Sequence, residues 1–336
     1  MQTAMLSSRL REDGLAVSVV ATNAPYWPSC IGRLRGVRAL FRLVPYLGAL
    51  WRLAGRSEVV HLMANSGWSW HLYSVPAIWI CRLRGVPVIV NYRGGEAASF
   101  MAAAARWVLP TLKRATLLVV PSGFLHQVFQ RFGIRAEVIP NAVDLSLFHS
   151  GARAPEPVVI VTRNLEPIYD LATALRALAR VRREIESVRL VIAGTGPEHS
   201  ALVSLAKSLG IDDVVEFTGR LDRDELAARL RSSWVCLNPS VVDNMPNSLL
   251  EAMASEVPIV STCVGGVPFI VDDGVNGLLV PPRDDEAMAM AIIRVIKDAE
   301  LADRLRESGR VAVQAYTWHA VGPLWLRAYR RVAAVV

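Results

Sequence analysis

The sequence predicts an α/β protein built from two doubly wound parallel-sheet domains. Three observations carry that expectation. From residue 158 to 261, short β-branched and aliphatic runs alternate with stretches of helical period, the pattern of a parallel sheet covered on both faces. A linker-like G-A-R-A-P-E-P at 151–157 separates this half from a first half with its own strand-like runs. At 336 residues and 52% apolar, the chain is long enough for two separate cores.

In the first half, residues 1–13 read as a helix, with Met1, Met5, Leu6 and Leu10 on one side and Gly14 as the stop. Residues 15–22 (L-A-V-S-V-V-A-T) read as a strand. The run from 33 to 56 interleaves Arg33, Arg35, Arg38, Arg42, Arg52 and Arg56 with Leu, Val, Phe41 and Trp51. It reads either as a basic amphipathic surface on anionic lipid or as ordinary surface helices with snorkelling arginines. Strands are expected at 59–63 and 86–91, separated by a Trp-rich helical stretch, and at 115–121. A helix through Phe132 and an extended run at 136–140 follow.

The second half predicts strands at 158–163, 189–194, 214–218, 234–237 and 257–261. Helices are expected between them at 171–185, 197–209, 222–231 and after Pro246. Two more helices (285–298, 300–315) and a last one at 318–334 complete it. In such a sheet the crevice at the carboxyl ends of the strands is the expected ligand site.

Composition narrows the function classes. The chain carries a formal charge of +7, unevenly placed: residues 1–150 hold 16 Lys and Arg against 6 Asp and Glu, residues 151–336 hold 21 against 24. Six of nine tryptophans fall in the first half, so one basic face is expected to meet an anionic surface. Nucleic acid is disfavoured as a partner because no recognised binding motif accompanies the charge. Cys30, Cys81, Cys236 and Cys263 are scattered, without C-x-x-C or metal spacing, which suits a reducing cytosol. Residues 1–14 lack the apolar segment of a signal peptide, and 59–81 is too interrupted to make a good membrane span.

Chemistry concentrates between Asn238 and Pro258, N-P-S-V-V-D-N-M-P-N-S-L-L-E-A-M-A-S-E-V-P. A loop between two strands feeds a short helix whose free N–H groups and positive dipole end suit a phosphate. Ser248 and Glu251 have capping-box spacing, which leaves two readings of Glu251: a helix cap, or a ligand-facing acid partnered by Asp243. The wording here and in V-P-I-V-S-T-C-V-G-G-V-P closely resembles the donor-site signature of the retaining glycosyltransferases of family 4, which have the GT-B fold. That resemblance extends over most of the chain.

The resemblance implies two Rossmann-like domains facing a cleft: an acceptor-side domain (1–150), a nucleotide-sugar donor domain (151–315) and a helix (316–336) returning to the first. It implies that Glu251 takes the donor ribose hydroxyls and Asp243 a sugar hydroxyl, with the backbone of Asn244, Met245, Pro246, Asn247 and Ser248 cradling sugar and phosphate. Gly219, Arg220 and Leu221 are placed near the nucleobase. From the residues themselves, Arg163 can offer a bidentate fork to a diphosphate, and Gly194 and Gly196 permit close ligand approach. Three positions depart from the family pattern. Ile168 stands where a phosphate-binding Lys is usual, Asp243 where Glu is usual, and Arg93 of N-Y-R-G-G-E where a His is frequent. Arginine cannot serve as a base but binds anions. The N-Y-R-G-G and R-N-L-E-P-I-Y wordings resemble a subgroup linked to surface polysaccharide synthesis. Asp222-Arg223-Asp224 imitates a D-x-D metal motif, but Asp222-x-x-Glu225 reads as a helix start, and no metal site is expected. Asp272, Asp273, Asp284 and Asp285 read as turn and helix-start residues, and His61, His71 and His126 as core or surface histidines.

The expected function is therefore metal-independent hexosyl transfer, with retention, from a UDP- or GDP-linked sugar to a glycan or lipid-linked acceptor, without a cofactor. The expected place is the cytoplasm, at the inner face of the membrane. A nucleotide-sugar epimerase and a non-catalytic binding relative share this architecture and stay open. A doubly wound half normally opens with a strand and a Gly-rich turn, whereas residue 1 already lies in a helix. The natural protein is thus expected to begin about 10–20 residues upstream.

Overall fold

The computed structural model describes residues 2–22 and 38–334. Cys30, Arg33 and Arg35 lie outside them, as does the side chain of Arg38. The chain divides into two units, Met1–Pro140 with Val321–Val336, and Asn141–Ala320, so the division falls at P-N-A-V-D, ahead of position 150.

In the first unit, helices α1 (Gln2–Glu12) and α2 (Arg38–Ala54) precede strand β1 (Val60–Ala64). There follow α3 (Val75–Leu83), β2 (Val88–Tyr92), α4 (Ala97–Leu112), β3 (Leu117–Val120), α5 (Gly123–Arg131) and β4 (Glu137–Val138). The four strands are parallel, in the order β1-β2-β3-β4. β2 is buried along its whole length, as a strand covered on both faces must be. Residues 15–22 form no strand, contrary to expectation. Their apolar alternation finds no described strand to pair with, and Ala16, Ser18 and Val19 face solvent. Alternation alone does not make a ladder. α4 was not foreseen either, because its Ala-rich, Pro110-containing run lacks a clear apolar stripe.

The second unit holds six parallel strands, β5 (Val158–Val161), β6 (Arg189–Ala193), β7 (Val215–Gly219), β8 (Val235–Asn238), β9 (Ile259–Thr262) and β10 (Leu278–Val280). Between and after them run α6 (Leu171–Glu184), α7 (His199–Ser208), α8 (Arg223–Ser232), α9 (Asn247–Ala254), α10 (Asp285–Lys297) and α11 (Ala299–Ala312). α6 buries Leu171, Ala174, Leu175, Leu178 and Val181, one stripe of period 3.6, against β5 and β6. The strand order is β10-β9-β8-β5-β6-β7. The chain starts at β5, steps outward to β7, then returns to lay β8 on the other flank of β5. That reversal opens a crevice at the carboxyl ends of β5 and β8. The last helix, α12 (Trp318–Ala333), belongs to the first unit from Val321.

Two acidic pairs resolve as read. Asp222 and Glu225 form a reciprocal capping box on α8, with bonds of 2.8 and 3.0 Å. Asp284 caps α10 by accepting from the Ala287 N–H at 2.8 Å. The box expected at Ser248 and Glu251 is absent. Pro246 is the N-cap of α9, and both residues lie inside the helix, because the proline's fixed φ starts the helical turn two residues early.

Candidate functional site

The site grows from the loops that follow β5 and β8. Arg163, two residues past β5, donates from Nε to Asn238 Oδ1 at 3.1 Å. Its Nη2 makes an ion pair with Asp243 Oδ2. The guanidinium also lies over the Tyr169 ring, 5.1 Å from its centroid. Ser240 Oγ donates to the same Asn238 oxygen at 2.7 Å, and the Val241 N–H donates to the Ile168 carbonyl at 2.9 Å. The two loops at the switch point are thus laced by one buried pair and one backbone bond. Two of the three guanidinium nitrogens of Arg163 are engaged inside the protein. The bidentate fork expected for a diphosphate is turned inward, and Nη1 is left for a ligand.

Gly194 and Gly196 are required by the fold itself. A Cβ on Gly194 would lie 1.9 Å from the Arg163 carbonyl, and one on Gly196 would lie 2.3 Å from the Leu165 carbonyl. The Leu165 N–H donates to the Thr195 carbonyl at 3.1 Å. These glycines let the loop after β5 lie on the loop after β6, and so fix the backbone that carries Arg163. Gly265 and Gly266, the pair in the V-G-G-V-P wording, serve the loop after β8 in the same way. Gly265 has φ +52°, and its Cβ would meet the Asp243 carbonyl at 2.1 Å; that of Gly266 would meet the Asn244 carbonyl at 1.5 Å. Since the obstacle is backbone, Gly266→Ala is expected to cost about 1–3 kcal/mol of unfolding free energy and to displace Asp243. Urea titration checks the cost, and an unchanged midpoint would show that the 243–245 loop is free to move.

Asn244, Met245, Pro246, Ser248 and Glu251 are buried and Asn247 is half-buried. Asn141 braces this stretch, donating from Nδ2 to Asn247 Oδ1 at 2.8 Å. Ser248 Oγ is buried without a hydrogen-bond partner among the described residues. A hydroxyl placed so beside the first N–H groups of a helix is a ready donor for an anion. Burial pushes the Glu251 carboxyl up to about 7, against the opposing charges of Arg223 and Arg163. Burial also raises Asp243, although Arg163 and the Asn244 N–H hold it down. Burial thus holds the Glu251 carboxyl near the edge of ionisation, where the neighbouring cations decide its charge, while Asp243 is paired with Arg163.

Arg223 is the residue that sequence reasoning missed, because it sits inside the Asp222–Asp224 imitation of a metal motif. Its guanidinium lies over Phe148, 5.7 Å from the ring centroid, and 3.9 Å from Asp144 Oδ2. Arg220 is exposed and Leu221 half-buried, directly after the edge strand β7, whose last residue Gly219 has φ +73°. The structure places them two strands away from β5, apart from the Arg163–Asp243 pair.

Arg93 belongs to the first unit, just past β2, where its N–H donates to the Ala64 carbonyl at 2.8 Å. Gly94 beside it is required by Ser66, whose Oγ a Cβ would meet at 2.1 Å. Burial lowers the Arg93 pKa to about 10, so the group stays cationic at neutral pH. His61 on β1 is hydrogen-bonded to Tyr329 of α12 at 2.5 Å and to Asn91 at 3.2 Å. Burial and the nearby Arg93 charge depress it to about 3, so it is a neutral core histidine, as read. Among the described residues no His, Cys, Asp or Glu cluster suits a metal ion.

Comparison with known proteins bears on the family and the fold. Residues 2–147 match the model of Glycosyltransferase Family 4, and residues 144–312 that of Glycosyl transferases group 1. The phosphatidyl-myo-inositol mannosyltransferase of Mycobacterium leprae is 26% identical over 294 residues, 84% of this chain and 76% of that one. The MMP alpha-(1->4)-mannosyltransferase of Mycolicibacterium hassiacum is 30% identical over 66% of this chain and 55% of its own length. The chain thus spans about half to three quarters of such relatives. Among solved structures, sucrose-phosphate synthase from Thermosynechococcus elongatus superposes with a TM-score of 0.74 at 24% identity, covering 88% of this chain and 79% of that one. Anabaena HepE in complex with UDP-glucose gives 0.74 at 18% identity, with 88% and 83% covered. Both parallel-sheet units are those of the GT-B fold, and the chain belongs to the group 1 glycosyl transferases, with a glycosyltransferase family 4 first half.

Proposed function

We propose that the chain transfers a sugar from a nucleotide-sugar donor, with retention and without a metal, to a glycan or lipid-linked acceptor in polysaccharide or glycoconjugate synthesis. The observation that carries this reading is the Arg163–Asp243 pair at the switch point, beside the N-terminus of α9 with its unpartnered Ser248 hydroxyl. Positive groups gathered there suit a departing diphosphate: Arg163 Nη1, the first N–H groups of α9 and the Ser248 hydroxyl. Glu251, when ionised, accepts from the ribose hydroxyls, and Asp243 from a sugar hydroxyl. Arg220 and Leu221 border the base. Arg93, cationic on the first unit, binds an anionic group of the acceptor.

The relatives support the donor and acceptor classes. HepE binds UDP-glucose, and the mannosyltransferase of Mycobacterium leprae is named for a phosphatidylinositol acceptor. Cys81, Cys236 and Cys263 are free thiols, which suits a reducing cytoplasm. The test is incubation with labelled UDP- and GDP-sugars, with and without membrane lipid extract and chelator. Label should enter an acceptor fraction only when extract is present, at a rate the chelator leaves unchanged. The anomeric proton coupling should match that of the donor. Conversion of the donor into another nucleotide sugar without extract would replace the reading by epimerisation, and binding without turnover would make the chain a non-catalytic relative.

A further inference from the structure

Helix α2 has two apolar faces. Tyr46, Leu50 and Ala54 are buried against the first unit, while Phe41, Val44 and Trp51 form a second stripe, at spacings of three and seven, that is exposed. Helices α3 and α4 extend this outer face. α3 packs on both α2 and α4, and Leu83 and Trp107 are 73% and 64% exposed. The apolar surface is edged by arginines stacked on its tryptophans: Arg84 lies 5.0 Å from the Trp51 ring centroid, Arg106 5.0 Å from Trp107 and Arg114 5.7 Å from Trp79. Trp79 Nε1 also donates to Thr111 Oγ1 at 3.3 Å, joining α3 to α4.

Topology gathers these groups at one end. α2 leads into β1, and α3 and α4 finish just before β2 and β3 begin. Trp51, Leu83, Arg84 and Arg114 therefore collect where the strands start, whereas Arg93 sits where β2 ends. Arg52, Arg56, Arg82, Arg84, Arg106, Lys113 and Arg114 lie on or just after these three helices, against Glu58 and Glu96, so the surface is cationic as well as aromatic.

We propose that the α2–α3–α4 face of the first unit docks on an anionic phospholipid bilayer. Tryptophan and arginine together are the side chains that sit at a headgroup boundary, the ring among the upper acyl chains and the guanidinium at the phosphates. The docking is interfacial: among the described residues no helix is long and apolar enough to cross a membrane. Charge selects an anionic surface over a second copy of the chain, since two copies would set cationic faces against each other. This inference stands on the first unit alone and is independent of the donor chemistry.

The experiment is flotation of the full chain with vesicles of phosphatidylcholine alone or mixed with phosphatidylglycerol, at low and high salt. The chain should float with the mixed vesicles, and salt should reduce binding. Arg84→Gln with Arg106→Gln should weaken it by roughly twentyfold, about fivefold for each charge lost at the surface. Leu83→Ser with Trp107→Ser should weaken it at least about tenfold and remove tryptophan quenching by brominated lipid. These positions are exposed, so the melting temperature should hold, and UDP affinity should not change. Absence of phosphatidylglycerol-dependent flotation, or equal flotation of both variants, overturns the proposal. Light scattering that shows a dimer dissociated by the serine variant would also overturn it, by assigning the face to a second copy.

Discussion

Glu251→Gln is expected to lose donor affinity and to gain stability. The carboxylate lies in α9, buried, without a hydrogen-bond partner or ion pair among the described residues. Its pKa stands at about 7 rather than 4.5 because burial outweighs Arg223 and Arg163. The folded chain therefore holds this proton more tightly than the unfolded chain does. The associated stability is present below about pH 4.5 and is lost as pH rises through about 7. A difference of about 2.5 units corresponds to about 3 kcal/mol at alkaline pH, an upper figure because the buried crevice relaxes. Gln removes that cost, so the variant should melt several degrees above the parent at pH 8 and close to it at pH 4.5. If Glu251 takes the ribose hydroxyls, as proposed, the ionised acceptor binds them more strongly than the neutral one, so nucleotide affinity in the parent should fall as pH drops below about 7. In the variant it should be about 100-fold weaker and flat with pH, since two bonds to a charged group are lost. Calorimetric titration with UDP and GDP across that range decides it. Equal affinity in a folded Gln variant would detach Glu251 from the donor.

This result reverses the sign that spacing alone suggests. If Glu251 were the reciprocal half of a capping box, its removal would cost stability. Pro246 takes the N-cap instead, so the carboxylate contributes no cap and only a desolvation cost. A buried acid whose charge destabilises the fold is the local inconsistency that binding sites display.

The second unit was legible because each of its signals is local. Continuous apolar runs of four or five residues make parallel strands, and the stripe of α6 announces itself by period. The first unit was less so. Residues 15–22 look like a strand, yet a strand exists only through a neighbour, which no short window of sequence shows. β10, of three residues, is too short to stand out. In the site, the acidic segment 243–251 was readable, but its partners were not. Asn238, Tyr169 and Arg223 reach it through strand order and not through spacing. The glycines at 194, 196, 265 and 266 show the same limit. A sequence says that something approaches closely, and here the thing approaching is the protein's own backbone.

The largest stability loss is expected from Arg163→Ala. Arg163 and Asp243 lie 80 residues apart in sequence, and their side chains are only 12% and 10% exposed. Deleting the guanidinium leaves Asp243 as a buried carboxylate helped by the Asn244 N–H at 3.0 Å and by the Ser240 side chain, and removing one partner of a buried pair costs about 3–5 kcal/mol. Asp243→Asn should cost less, because the amide keeps the shape and Arg163 keeps its bond to Asn238 Oδ1. The double variant should recover part of the Arg163→Ala loss, with a coupling of about 1–3 kcal/mol in urea unfolding. Ligand binding separates the second role of Arg163. If Nη1 meets the diphosphate, Arg163→Met should weaken UDP by tenfold or more, about 1.5–3 kcal/mol for a charge-assisted bond, while uridine changes little. Equal losses for UDP and uridine would mean that Arg163 shapes the loop without touching phosphate. Strictly additive unfolding free energies would mean that the pair, although in contact, stabilises nothing as a pair.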